Sequence, residues 1–401
     1  MPELTSLTFN LLTGEIRQSP ATGAEIQLPP GMAMLDLDRL TDNDKDTLRK
    51  ALFENQVVVI RNQKGIDPTV LPKLAKIFDP NASDIHSAGE KAVSDLKNIL
   101  SAYKAGRIPR ASQVGIIGSG KFQDYEGLKE LEVVHLVHDG YTRPYRWHMD
   151  TPFYERLSGE VTILHSICIP NTPDQKIKFP DGKEKTISAG ATAFFSGARV
   201  YSLLTPEEQE FALNTTVTYA PQAYEYIRQC KASEDGLTIL NFGREVTVEN
   251  LSEWAWDKVA EHPMVWRNPL NPDRPFLQVH GCCVYKLTTR NPATGEITVM
   301  DDVQKVREVV YKTQSKIYAT ENIYAHHWQE GDVVIFHNRG VMHSITGQLA
   351  KYKDQDQEEV ALAVHNDKHN SPKPFWDYEG VNDTGYVREL IKDIAMAGIA
   401  H

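Results

Sequence analysis

Three side chains have the residue types and spacing of a metal site. His148 and Asp150 are two residues apart in YRWHMDTPF (145–153), and His343 lies far downstream. In an extended segment, residues i and i+2 point to the same side, so His148 and Asp150 can hold one ion while Trp147 and Met149 face away. On a helix the two would lie roughly 200° apart. The spacing therefore predicts a metal site only if 145–153 is a strand.

The His-x-acid spacing is not distinctive by itself. Composition alone accounts for a few such triplets, and the sequence contains a second one, His365-Asn366-Asp367. GDVVIFHNRGVMHSITG (331–347) reads as two strands joined by a turn, the second carrying His343. His337 ends the first strand, and we expect it to be structural. His148, Asp150 and His343 then form the predicted ligand set.

The chemistry of these ligands leaves two metals open. Two histidines and one carboxylate are the ligand set of non-haem Fe(II) oxygenases, in which open positions remain for a cosubstrate and O2. The same residues could hold a tetrahedral zinc with one open position for metal-assisted hydrolysis. The residues alone do not separate these readings.

Composition excludes several function classes. The formal net charge of −11 disfavours nucleic acid and anionic membranes as partners, because nothing offsets phosphate repulsion. No apolar run approaches the roughly 18 residues of a membrane span, and no signal peptide is recognisable at the start. The four cysteines do not form a disulfide framework, which favours buried thiols in a reducing compartment. A cytoplasmic enzyme with a small-molecule substrate is expected, and a homo-oligomer is compatible with the sequence.

The predicted elements indicate an α+β fold. Helices are predicted after Thr41, after Asp67-Pro68-Thr69, after Thr205-Pro206 and over DDVQKVREVVYKTQSKIY (301–318). We expect 80–110 to be partly helical and 230–265 to be mostly helical and loop-like. Short strands dominate from about residue 112, and DQKIKFPDGKEKTISAG (174–190) reads as a hairpin. Such a pattern favours a sandwich or jelly roll with flanking helices. No domain boundary is evident, so one domain is predicted over 1–401, with an extension at 1–30 and a tail and final helix at 368–401.

Several longer motifs resemble those of a known family. These motifs include GYTRPYRWHMD (140–150), SAGATAFFSGARV (188–200) and YAHHWQEGDVVIFHNRGVMHS (324–344). The chain resembles the TauD/TfdA family of Fe(II)/2-oxoglutarate dioxygenases from about residue 35 to 363, and within it the fungal xanthine dioxygenase branch. The resemblance implies a double-stranded β-helix (jelly-roll) core that binds iron through His148, Asp150 and His343. It also implies 2-oxoglutarate and O2 as cosubstrates, with Thr192 on the far carboxylate of 2-oxoglutarate.

One family feature is missing from the sequence. The arginine that shares the far carboxylate with the threonine is expected on EEVALAV (358–364), where the corresponding positions are Ala361 and Val364. A charge-assisted hydrogen bond contributes about 1.5–3 kcal/mol, so its loss would weaken 2-oxoglutarate binding. Lys351, Lys353 or Arg199 could supply the charge instead. Otherwise a different oxo acid is used, or none.

Candidate substrate residues are His365, Asn366, Trp147 and Arg143. His365 and Asn366 lie where the xanthine dioxygenase branch carries purine contacts, but their identities differ here. The leading hypothesis is an Fe(II) oxygenase, 2-oxoglutarate-dependent, that hydroxylates, desaturates or cyclises a small polar metabolite. The alternatives are an oxygenase of the same fold that does not use 2-oxoglutarate, and a non-catalytic binding protein on this scaffold.

Overall fold

A computed structural model describes the parts of the chain that position the predicted site. The described residues are 8–11, 23–28, 30–80, 107–108, 110–122, 131–133, 144, 146–150, 152–153, 158–169, 173–188, 190–240, 242–346 and 359–365. The predicted final helix, most of the predicted helical region at 80–110 and the second His-x-acid triplet beyond His365 lie outside them.

The largest sheet contains the strands β1 Thr8–Leu11, β2 Ala24–Gln27, β3 Val57–Ile60, β4 Arg107–Ile108, β5 Ala111–Phe122, β6 Leu131–Val133, β7 Val161–Cys168, β18 Val333–His337 and β20 Glu359–His365. Their spatial order is β1-β2-β3-β18-β7-β20-β5-β4, with β6 paired to β5. Neighbouring strands are antiparallel except for β2 and β3.

Smaller antiparallel sheets complete the β-structure. Their strands are β8 Gln175–Lys178, β9 Glu184–Ile187, β10 Thr192–Ser196, β11 Thr215–Tyr219, β12 Glu261–Pro263, β13 Val265–Trp266, β14 Phe276–Leu277, β15 Val284–Arg290, β16 Ile297–Met300, β17 Ile323–His326 and β19 Val341–Ile345. A three-stranded sheet has the order β17-β10-β19, and a four-stranded sheet has the order β12-β11-β15-β16. The pairs β8-β9 and β13-β14 form two-stranded sheets.

The helices begin where the sequence supplies caps. Thr41 and Thr205 each form a reciprocal capping box with the acidic residue three positions later. The helices are α1 Asp42–Asn55, α2 Val70–Phe78, α3 Gly197–Ser202, α4 Pro206–Leu213, α5 Ala223–Tyr226 and α6 Val303–Gln314. Short 3-10 turns cover Leu37–Arg39, Val248–Asn250, Trp256–Lys258, Gly281–Cys283, Ser315–Ile317 and Thr320–Asn322. None of the helices in the described residues has the length and apolar composition that a bilayer crossing needs.

The apolar strands have both faces covered. On β3, Val58 and Ile60 pack with α1 and α2, whereas Val57 and Val59 pack with Phe194 of β10 and other residues between the sheets. A strand buried on both faces reads as a continuous apolar run, which explains the VVVI sequence. A further core joins the three- and four-stranded sheets to α6. The predicted α+β class, with mixed sheets and helices, is therefore confirmed.

The prediction of a strand over the ligand segment was wrong. The segment 146–150 is not a strand within the described residues, and isolated bridges, Pro144 to Thr346 and His148 to His343, join this part of the chain to β19 and the residue after it. The region 230–265 contains 3-10 turns, irregular backbone and the strand β12. The predicted hairpin at 174–190 is confirmed by β8 and β9.

The cysteines are all free, as predicted. Cys230, Cys282 and Cys283 are buried and Cys168 is partly exposed. Burial raises the pKa of the Cys282 thiol to about 12, so this thiol is not a nucleophile at neutral pH.

Candidate metal centre

A backbone bridge brings two of the predicted ligands together. The His148 amide donates to the His343 carbonyl at 3.0 Å, and the His343 amide donates to the His148 carbonyl at 2.8 Å. Such a pair puts two side chains directly opposite each other, and the ring centroids lie 4.1 Å apart. The far-downstream histidine is therefore positioned by one antiparallel contact.

The third predicted ligand is held by its neighbours through both backbone and carboxylate. Asn338 accepts from the Asp150 amide at 2.8 Å and donates to the Asp150 carbonyl at 3.1 Å. Thr162 of β7 donates from Oγ1 to Asp150 Oδ2 at 2.8 Å. The other carboxylate oxygen, Oδ1, lies 3.4 Å from His343 Nε2. Hydrogen bonds of this kind orient metal-ligating carboxylates.

The three side chains converge within metal-binding range. One ligand atom from each of His148, Asp150 and His343 lies within 4.8 Å of the others. His148 Nδ1 lies 2.9 Å from the Arg146 carbonyl, which favours the tautomer in which Nε2 carries the lone pair that a metal needs. Two imidazoles and a carboxylate on one side of an ion fit a ferrous centre with open positions.

Aromatic rings form the apolar surroundings of His343. Its ring centroid lies 4.7 Å from that of Phe336 on β18 and 6.2 Å from that of Phe194 on β10. Both phenylalanines are fully buried. An apolar shell limits water around a metal site and fixes the orientation of its ligands.

The two residues predicted to face away from the metal do so. Trp147 and Met149 are buried in the core that includes Phe195, whose ring lies 4.6 Å from that of Trp147. The Trp147 indole donates to the Asp235 carbonyl at 2.8 Å. Its contacts anchor the ligand segment to the loop around Asp235. Its predicted contact with substrate stays a prediction.

A second aromatic group lies on the other side of His148. The His280 ring centroid is 6.2 Å from that of His148, 5.2 Å from that of Phe153 and 5.9 Å from that of Tyr224. Burial lowers the pKa of His280 well below its usual value, so the imidazole is neutral. A Cβ added at Gly281 would lie 2.2 Å from the Leu237 carbonyl oxygen, which explains the glycine after His280. A cluster of mutually inclined aromatic rings therefore adjoins His148 through His280.

Thr192, the predicted cosubstrate residue, is buried at the start of β10. It pairs with Ile345 of β19, two positions along from the pairing of Phe194 with His343. Alternate residues of a strand share a face, so Thr192 lies on the face of His343, displaced by about 7 Å along the strand. Its hydroxyl accepts a hydrogen bond from the Trp328 indole at 3.2 Å.

The remaining predicted site residues are only partly described. The backbone of His365 pairs with Thr162, whose hydroxyl bonds the Asp150 carboxylate. Arg143, Asn366, Lys351 and Lys353 lie outside the described residues. Arg199 donates to Asn322 Oδ1 at 3.0 Å. His337 lies outside the ligand cluster, edge-on between the rings of Phe53 and Phe276, in the structural position predicted for it.

Sequence reasoning missed Asn338, Thr162, His280 and Trp328. Asn338 and Trp328 stand in the same long motif as His343, and that proximity was the available signal. Thr162 and His280 carry no local signal, because their roles depend on contacts with segments distant in sequence.

Comparison with protein families and known proteins gives consistent matches. The model of the "Taurine catabolism dioxygenase TauD, TfdA family" matches residues 15–357. The α-ketoglutarate-dependent xanthine dioxygenase xanA of Emericella nidulans is 36% identical over 348 residues, which are 83% of this chain and 92% of that protein. The xanthine dioxygenase xan1 of Schizosaccharomyces pombe is 36% identical over 366 residues, 86% of each chain. The α-ketoglutarate-dependent dioxygenase bsc9 of Alternaria brassicicola is 30% identical and covers 77% of this chain and 83% of its own.

Solved structures agree at the level of the fold. A taurine dioxygenase from Burkholderia xenovorans aligns with a TM-score of 0.51 at 15% identity, covering 92% of this chain and 94% of that one. The protein AAD-2, solved with Mn(II) and N-oxalylglycine, aligns with the same score and identity over 92% and 100% of the two chains.

Proposed function

This chain belongs to the taurine catabolism dioxygenase TauD/TfdA family, and from that membership we propose that His148, Asp150 and His343 bind its iron and that it oxidises a purine-like heterocycle. The protein is an Fe(II)- and 2-oxoglutarate-dependent dioxygenase that acts on a small molecule with O2. The readings without 2-oxoglutarate or without catalysis are not favoured, since the curated relatives are named as α-ketoglutarate-dependent dioxygenases.

One observation carries the assignment of the iron ligands. One ligand atom from each of the three side chains lies within 4.8 Å of the others, and no other such cluster of histidine, cysteine and acidic residues occurs in the described parts of the chain. When bound, ferrous iron supplies the position at which O2 and the oxo acid react, so that 2-oxoglutarate leaves as succinate and CO2 and the substrate is oxidised. The protein's own part is to orient the reactants and exclude water.

The substrate class is supported by the relatives and by the aromatic cluster beside His148. The relatives at 36% identity are named xanthine dioxygenases. The His280 ring lies 6.2 Å from that of His148, and the rings of Phe153 and Tyr224 pack against His280. Such rings favour a flat heterocycle, which gains stacking and edge contacts that a flexible aliphatic substrate would not. The proposed contacts of His365, Asn366, Arg143 and Trp147 would then give specificity within this class.

The same proposal extends to the architecture and location. We propose one dioxygenase domain over 1–401, with the extension 1–30 and the tail 368–401, in which the sheets form a jelly-roll core. The family model covers 15–357, which supports a single domain. The free, mostly buried cysteines fit a cytoplasmic protein.

The experiment is a two-stage assay with a matched pair of histidine variants. Protein loaded with Fe(II) without oxygen is titrated with 2-oxoglutarate, and the visible absorption of the iron chelate is followed. Oxygen is then admitted with xanthine and related oxopurines, and succinate release is measured. We expect both signals in the parent and in His327→Ala, whose histidine is exposed, and neither in His343→Ala. Retention of both signals in His343→Ala would overturn the ligand assignment.

The substrate part of the proposal has its own outcome. Oxopurines should raise succinate release well above the rate without substrate, whereas an aliphatic sulfonate such as taurine should not. Stimulation by the sulfonate alone would reject the purine class and leave the iron assignment intact.

A further inference from the structure

Trp328 and Thr192 share a hydrogen bond whose direction is not ambiguous. The indole Nε1 of Trp328 lies 3.2 Å from Thr192 Oγ1, and both residues are buried. An indole N–H is a donor only, so the hydroxyl must accept. The single proton of the hydroxyl must then point elsewhere. The bond therefore limits what Thr192 can do with its proton.

We propose that Trp328 is a positioning residue for 2-oxoglutarate: by donating to Thr192 Oγ1 it directs the threonine proton to the far carboxylate of the cosubstrate. This inference rests on the proposed function and on the contact with that carboxylate that the family resemblance implies for Thr192. Thr192 lies on the face of His343 at about 7 Å along the strand, a spacing suited to a short diacid chelated at the metal. A carboxylate accepts hydrogen bonds and cannot donate, so only a threonine with its proton available serves.

The indole is itself held in place by a second ring. The His326 ring lies edge-on to Trp328, with centroids 4.6 Å apart and an interplanar angle of 87°. His326 cannot rotate freely, because Tyr324 Oη lies 2.8 Å from its Nδ1 and Asp332 Oδ2 lies 3.0 Å from its Nε2. His326 also pairs with Thr192 across the strands β17 and β10.

The network ends in a fixed carboxylate. Asp332 Oδ2 also accepts from the Gln329 amide at 2.9 Å and from the Arg61 guanidinium at 2.6 Å. A chain of contacts thus runs from Arg61 through Asp332, His326 and Trp328 to Thr192. His326, Trp328, Asp332 and Thr192 are buried, and the hydrogen bonds among them are separate from those that hold Asp150 and His148.

The hydrogen bond from the Thr192 hydroxyl should contribute a larger share of the 2-oxoglutarate affinity in this protein, because the expected arginine is missing. No arginine occurs between Arg339 and Arg388, so the expected positions Ala361 and Val364 offer no guanidinium to the carboxylate. A hydrogen bond to a charged group contributes more than a neutral one, and with fewer such bonds each has a larger share of the affinity.

The test is a double-mutant cycle read out by binding. Trp328→Phe and Thr192→Val are made singly and together, and the dissociation constant of 2-oxoglutarate is measured from the visible chelate band without oxygen. We expect a loss of roughly 10- to 100-fold for Thr192→Val and of about 3- to 10-fold for Trp328→Phe. Trp328→Phe should cost nothing more in the Thr192→Val background, because its effect passes through the hydroxyl.

Two controls separate positioning from general damage. Trp266→Phe makes the same change at a buried tryptophan whose indole N–H has no partner among the described residues, and it should leave the affinity unchanged. The oxo acid 2-oxopentanoate carries a methyl group in place of the far carboxylate, and its affinity should be equal in the parent and in Trp328→Phe.

Three results would overturn the inference. The first is an unchanged affinity for 2-oxoglutarate in Trp328→Phe. The second is a loss of affinity for 2-oxopentanoate in Trp328→Phe that equals the loss for 2-oxoglutarate. The third is a double variant in which the affinity losses of the two substitutions add in full. If the parent itself gives no chelate band with iron, the proposed function fails, and that outcome is distinct from a band that Trp328→Phe leaves unchanged.

Discussion

Two histidine–aspartate pairs in the described part of the chain are built in opposite ways. In the metal pair, His343 Nε2 and Asp150 Oδ1 lie 3.4 Å apart and His148 offers a third ligand atom nearby. In the second pair, His326 Nε2 and Asp332 Oδ2 lie 3.0 Å apart, and Tyr324 and Arg61 occupy the atoms around them. We call these the open pair and the closed pair.

The difference shows that residue type does not decide the role of such a pair. The closed pair has both imidazole nitrogens in hydrogen bonds within the protein, so neither can bind a metal. Among the described residues, Asp332 Oδ1 is the one atom of this pair left without a partner. The open pair instead gathers a ligand atom from each of two imidazoles and one carboxylate within 4.8 Å of one another, an arrangement that suits a cation. The open pair should therefore determine iron binding, and the closed pair stability and orientation.

The largest expected effect is the loss of a ligand from the open pair. Asp150→Ala should weaken iron binding by more than about 100-fold, since losing even an outer partner of a ligand costs 10- to 100-fold. Succinate release should fall to the level of the iron-free protein. Stability should change by less than about 1 kcal/mol, because the side chain is partly exposed. Iron affinity by competition with a chelator, together with urea unfolding of the iron-free protein, measures both quantities. Iron binding that survives in Asp150→Ala would remove the basis of the comparison.

The corresponding substitution in the closed pair should lower stability and leave iron affinity unchanged. Asp332→Ala leaves a buried imidazole without its carboxylate and leaves Arg61 paired with Glu25, which should cost about 3 kcal/mol of unfolding free energy. The iron affinity of the folded protein should stay close to that of the parent. Asp332→Asn keeps the shape and one acceptor and should lose less stability. A variant that stays stable but no longer binds iron would contradict the distinction between the pairs.

The contrast also shows what the sequence could predict. The convergence of His148, Asp150 and His343 was predictable from the residue types in YRWHMDTPF and FHNRGVMHS together with the family resemblance. Helix starts at Thr41 and Thr205 and the hairpin at Pro-Asp-Gly were predictable too, because caps and turns depend on a few neighbouring residues. The prediction of a strand around His148 failed, because that segment is held by isolated bridges and by the Trp147–Asp235 bond and not by a continuous ladder.

The closed pair could not be predicted for the same physical reason. Arg61 and Asp332 are 271 residues apart, and Trp328 reaches Thr192 over 136 residues. No periodicity or motif encodes such contacts; they arise from the packing of β10, β17 and the large sheet. Long-range polar contacts between sheets are thus the part of this site that only the structure reveals.

Lower pH should reduce the stability of the folded protein through two buried histidines, one near each pair. Burial lowers the pKa of His262 to about 4. Its Nε2 lies 2.7 Å from the carbonyl oxygen of Pro152, which follows Asp150 of the open pair by two residues. His165, beside the closed pair with its Nε2 3.2 Å from the Gln63 carbonyl, has its pKa lowered by burial to about 4 as well. The unfolded chain takes up these protons near pH 6.5 and the folded chain only near pH 4, so stability falls as the pH drops through that window.

The expected loss at pH 5 relative to pH 7 is on the order of 2 kcal/mol for each histidine. Urea unfolding at both pH values measures it. His262→Gln keeps a donor for the Pro152 carbonyl without titrating, so it should remove about half of the acid effect, and His165→Gln the other half. If either variant loses as much stability as the parent, that histidine is not a source of the acid sensitivity.

The smallest expected effect concerns two hydroxyls on the same strand, β7. Thr162 donates to Asp150 Oδ2 at 2.8 Å in the open pair, whereas Ser166 Oγ accepts from the Asp332 amide at 3.0 Å in the closed pair. Thr162→Val keeps the side-chain shape but removes a hydrogen bond to a carboxylate of about 1.5 kcal/mol, so iron affinity should fall roughly tenfold with little change in stability. Ser166→Ala should instead lower stability by a similar amount and leave iron affinity unchanged. Because both hydroxyls lie on one strand, an equal effect of the two substitutions on iron would mean that β7 transmits strain between the pairs and that they are not independent.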